Sequence, residues 1–88
     1  MNFRDFVETI DGEYYFTVKN FAIFTNRSEQ NVRFLITYGN RIRKLRIVRI
    51  ADKPLIPYSE LIEFPFTIAG RNSTTVFHYD KEGVQNES

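Results

Sequence analysis

The stretch Asn31 to Ile50, NVRFLITYGNRIRKLRIVRI, constrains this chain most, because it combines β-branched and aromatic residues with half of the basic side chains. Val32, Phe34, Ile36, Thr37 and Tyr38 precede Gly39-Asn40, and Ile42, Ile47, Val48 and Ile50 follow it. These residue types suit an extended, half-buried surface. Gly at the first central position suits a two-residue type II′ turn, since it takes positive φ without steric cost. The stretch therefore predicts one long β-hairpin. On one face Tyr38 meets Arg41, Ile36 meets Arg43, Phe34 meets Leu45 and Val32 meets Ile47; on the other, Thr37 meets Ile42, Leu35 meets Lys44 and Arg33 meets Arg46. A helix through 41–50 fits less well, because its arginines and its apolar residues do not separate at a 3.6-residue period. The opposed Arg33 and Arg46 repel unless their heads splay into water, a carboxylate bridges them or an anionic partner sits between them.

Charge follows the same stretch. Residues 19–53 carry nine basic side chains against Glu29 and Asp52, a net of +7, while the segments on either side are each at −3. The whole chain is at +1. Such a block either presents a positive face or is neutralised by the two acidic ends.

The other elements follow in chain order. Phe3, Phe6, Val7 and Ile10 fall at i, i+3, i+4 and i+7, which predicts a short N-terminal amphipathic helix stopped by Asp11-Gly12. Glu13 to Thr25 alternates as strands, with a turn or bulge at Lys19-Asn20, and Asn26 to Gln30 is a polar loop. Pro54 and Pro57 argue against a central strand. Ser59 to Glu63 forms one helical turn ended by Pro65, and strands follow at Phe66–Ala69 and Thr74–Tyr79. The expected fold is α+β: a short N-terminal helix followed by a mostly antiparallel five- or six-stranded sheet, curled into a small partial barrel. At 88 residues it is one domain over 1–80, with 81–88 a polar, disordered tail.

Function is less directly written. The absence of cysteine leaves out disulfides and thiol chemistry and suits a reducing cytoplasm. No hydrophobic run is long enough for a secretory signal or a membrane span, so the expectation is a cytoplasmic protein with no membrane contact. His78 and Asp80 share a strand face, but two candidate ligands make neither a metal site nor a catalytic constellation. Nucleophile-elbow, phosphate-loop and dinucleotide patterns are missing. The reading is therefore a non-enzymatic binding protein with no metal and no cofactor. Its partner belongs to one of two classes. Nucleic acid is bound along the basic hairpin by Arg33, Arg41, Arg43, Lys44, Arg46 and Arg49, with Tyr38 as a stacking surface. Alternatively the chain is a protein–protein module or inhibitor occupying a partner's surface, of the kind that viruses and mobile elements make. Uncovered strand edges further predict a homodimer.

Overall fold

The computed structural model describes residues 2–67 and 76–80, together with the backbone of Gln85–Glu87. Two antiparallel sheets and three short helices make an α+β domain. The first sheet has the order β1-β2-β4-β3, built from Val7–Ile10, Glu13–Thr17, Lys53–Pro57 and Val48–Ile50. The second has the order β5-β6-β7, from Phe66–Thr67, Val76–Tyr79 and Gln85–Glu87. Helices α1 (Val18–Phe24) and α2 (Glu29–Thr37) lie in sequence between β2 and β3, and α3 (Tyr58–Glu63) follows β4. The sheet is therefore divided into four and three strands rather than being a single five- or six-stranded sheet, and it does not close into a barrel.

The expected N-terminal helix is a single 3₁₀ turn, Phe3–Asp5, capped by the Asn2 side chain. Val7 to Ile10 is instead strand, because Asp11-Gly12 forms a hairpin turn. Both residues have positive φ, 51° and 79°, as a type I′ turn requires. That turn folds Val7–Ile10 back onto Glu13–Phe16, and the pairing outweighs a helix too short to be stable alone.

The hairpin expected over 31–50 is not formed. Residues 29–37 are helical, and 43–47 form neither helix nor strand among the described residues. Two local signals produce the helix. The Ser28 hydroxyl accepts from the Asn31 N–H at 3.0 Å, capping the start, and Glu29 sits favourably in the first turn. Val32 and Leu35 are buried, Ile36 is partly buried, and all fall on one helical face. Gly39-Asn40 is no two-residue turn. Gly39 ends α2 with φ of 80°, its N–H donating to the Phe34 carbonyl at 3.2 Å. A Cβ at this position would lie 2.5 Å from the Arg43 carbonyl oxygen, so only glycine fits. Phe21 to Thr25, expected as strand, belongs mainly to α1, which starts from a Thr17 hydroxyl cap on the Asn20 N–H.

The strand at Glu13–Thr17 and the helical turn before Pro65 are present. Residues 68–75, which include the rest of the expected late strands, lie outside the described residues, as do 81–84 and 88 of the expected tail. Gln85–Glu87 of that tail pair with β6.

One aromatic-rich core joins the parts. Phe16 on β2 meets Phe21 of α1 edge-on at 5.3 Å. Phe21 stacks with Phe66 of β5 at 6.1 Å, and Phe66 touches both Phe77 and Tyr79 of β6. Phe16, Leu45 and Phe66 are buried in this core, whereas Phe34 is 54 % exposed. Among the described residues no helix is long and apolar enough to cross a membrane.

Candidate nucleic-acid interface

Helices α1 and α2 pack on each other, with Phe21 and Ala22 of the first and Val32 and Leu35 of the second in the common core and the four residues Thr25–Ser28 between the helices. The connection is held tightly. The Thr25 hydroxyl donates to the Phe21 carbonyl at 2.7 Å, the Arg27 N–H donates to the Ala22 carbonyl at 2.8 Å, and Asn26 takes φ of 57°. Arg27 is half-buried over the Phe66 ring, 5.1 Å from its centroid, and its Nη1 donates to Asn31 Oδ1 at 3.2 Å. Its Nε is buried without a hydrogen-bond partner among the described residues. Burial holds the Arg27 guanidinium below its ordinary pKa, and nearby Tyr79 opposes that shift; burial raises the Tyr79 phenol in turn. The second sheet thus grips the turn from behind.

Because Val32, Leu35 and Ile36 face inward, the opposite face of α2 is left to solvent. Gln30, Arg33, Phe34 and Thr37 are all exposed, at i, i+3, i+4 and i+7, and Asn31 is exposed beside them. Tyr38, 69 % exposed at the helix end, sets its ring 5.0 Å from that of Phe34. Arg33 pairs with Glu29 one turn earlier at 3.5 Å, both side chains open to water, so the pair is weak. The stripe combines two amides, a guanidinium, a hydroxyl and an aromatic ring.

The basic segment after α2 is organised by two hubs. Asn40 donates to the Pro65 carbonyl at 2.6 Å, and its Oδ1 accepts from the backbone of Ile42 and Arg43. Leu45 is buried, and its N–H donates to the Leu35 carbonyl at 2.9 Å, which ties the segment beside α2. Glu60 on α3 is the second hub. Its carboxylate is 2 % exposed and takes both ends of the Arg43 guanidinium, at 2.7 and 2.9 Å, plus the Arg46 N–H at 2.7 Å. Arg43 also lies over the Phe64 ring at 5.1 Å. The hydrogen bond to Glu60 raises the Arg43 pKa above its ordinary value.

The seven residues expected to bind nucleic acid are therefore not aligned along one ribbon. Arg33 and Tyr38 belong to α2. Arg41, Lys44 and Arg46 are exposed on the segment tied beside it, and Arg43 is turned inward onto Glu60. Arg49 is exposed on β3, opposite Pro54. Arg33 and Arg46 do not face each other on a ladder, so their expected repulsion has no structural basis. The sequence reading missed Gln30, Asn31 and Thr37 as groups on one exposed helix face, and Glu60 as the anchor of Arg43 and Arg46. The Ser28-Glu29 cap with the 32/35/36 spacing was the available signal for the first three; no local pattern announces the fourth. No family model, curated protein or solved structure matches this chain.

Proposed function

We propose that this chain is a non-enzymatic, duplex-DNA-binding protein that reads the major groove with α2. The carrying observation is the exposed 30/33/34/37 stripe on a helix joined to α1 by a rigid four-residue turn. Two helices joined in this way are the supersecondary unit of helix-turn-helix DNA readers, whose second helix enters the groove. The likeness is one of architecture, and the side chains supply the chemical support. Gln and Asn match the paired donor and acceptor of an adenine edge, and Arg matches guanine. Arg41, Lys44 and Arg46, on the segment bonded to the end of α2, suit phosphates on either side of the groove. The cysteine-free composition suits work in the cytoplasm. A homodimer with two copies of α2 on one duplex would pair through the edge strand β1.

Fluorescence anisotropy with a randomised 24-base-pair duplex at two salt concentrations tests the reading. Binding should weaken steeply with salt. Lys44→Ala and Arg46→Ala should lower affinity uniformly and flatten the slope, while Arg33→Ala and Gln30→Ala should relax sequence preference. Salt-independent binding, or none, rejects the proposal. A protein partner is the second reading, supported by the exposed, mutually contacting rings of Phe34 and Tyr38 on the helix that carries Arg33.

A further inference from the structure

Phe34 is out of place among the polar groups of its stripe. It is 54 % exposed, it lies one turn beyond Gln30 and one turn before Tyr38, and its ring is braced by the Tyr38 ring at 5.0 Å and 44°. It contributes little to the core, and it has no hydrogen-bonding group to offer a phosphate or a base edge. The one apolar feature a base pair presents in the major groove is the C5 methyl of thymine. We infer that Phe34 reads thymine methyl groups, with Tyr38 fixing the ring, so that the binding site contains a thymine at the centre of the α2 footprint. Gln30, one turn earlier on the same face, is placed to take an adenine of the neighbouring pairs, which would make that part of the site A·T-rich. The inference rests on the duplex-DNA reading above.

Deoxyuridine isolates the contact, because it differs from thymidine only by the methyl group. Duplexes are selected from the randomised pool with wild-type protein, and the winning sequence is resynthesised with each thymine replaced by deoxyuridine in turn. Burial of one methyl group corresponds to about a fourfold change in affinity. Wild type should lose about that factor at one or two positions, and Phe34→Ala should be indifferent at those same positions while still binding the unsubstituted duplex. Phe34→Leu should keep part of the discrimination. Circular dichroism should show Phe34→Ala folded, as suits a residue outside the core. The inference fails if wild type is indifferent at every thymine, or if Phe34→Ala keeps the wild-type pattern. Tight binding to the separated single strands, lost in Phe34→Ala, would make the ring a base-stacking surface instead and overturn it. Conversion of a dimer to a monomer by Phe34→Ala, with no uridine effect, would assign the ring to a protein interface and also overturn it. If no duplex is selected at all, the DNA reading itself falls, an outcome distinct from failure of the methyl contact alone.

Discussion

The Glu60 hub makes an asymmetric prediction about its two partners. Glu60 is 2 % exposed and Arg43 is 26 % exposed, so only the arginine can turn toward water when its partner is lost. Arg43→Met keeps the aliphatic stem but leaves a buried carboxylate with the Arg46 N–H as its one donor among the described residues. Breaking a fully buried pair costs about 3–5 kcal/mol, and the partial exposure of Arg43 places this case near the lower end, about 3 kcal/mol. Glu60→Gln preserves shape and an acceptor for one donor, and the freed guanidinium can be hydrated. Its cost should be about 2 kcal/mol, the scale of losing charge-assisted hydrogen bonds. The double variant Arg43→Met/Glu60→Leu should cost about 2–3 kcal/mol, less than the singles together, because no charge is then stranded and only the Arg46 N–H loses its acceptor. Urea unfolding followed by far-ultraviolet circular dichroism measures all three. Additive losses, or Glu60→Gln costing more than Arg43→Met, would refute the reasoning that the carboxylate is the trapped charge.

Gly39→Ala should cost at least about 2 kcal/mol, from positive φ and the 2.5 Å approach to the Arg43 carbonyl, whereas Gly12→Ala, with open space around it, should cost only about 1 kcal/mol; thermal melts of both variants check the ordering. Ser28→Ala should lose about 1 kcal/mol by removing the α2 cap, and Ser28→Asp should retain the stability, both read from melting temperature. Burial raises the Tyr79 phenol, so its neutral form is favoured on folding. That contribution is complete below the unfolded value of about 10 and is lost as pH rises through the folded value. Urea midpoints should therefore fall on the alkaline side of pH 10, and less so in Tyr79→Phe.

Several sequence signals were correct while their structural partners were misassigned. The segment 43–47 alternates as expected: Leu45 is buried, Lys44 and Arg46 are exposed, and Arg43 and Ile47 are intermediate. The segment is held by the Leu35 carbonyl of α2 and the Glu60 carboxylate of α3 rather than by a strand ladder. In 31–38, β-branched and aromatic content competed with the spacing of Val32, Leu35 and Ile36, and the cap at Ser28 tipped the balance toward helix. Two turn residues carried more information than the apolar spacing before them: Asp11-Gly12 marks a hairpin even though Phe3 to Ile10 matches a helical face. The α2 stripe becomes legible once the helix is recognised. The Glu60–Arg43 contact does not, since a carboxylate 17 positions from its guanidinium leaves no periodic trace.

The strand order β1-β2-β4-β3 has a consequence for how the chain reaches this state. Its two outer pairings, β1 with β2 and β3 with β4, are closed by two-residue turns and need no distant contact. The middle pairing, Phe16 with Ile56, joins strands separated by both helices and the whole basic segment. Closing that loop carries the largest entropic cost in the sheet, so it should dominate the folding barrier. Shortening residues 40–47 would accelerate refolding only by removing the segment that carries Leu45 and the Glu60 ligands. The two helices and the basic segment together therefore set the length of the loop that must close before the sheet is whole.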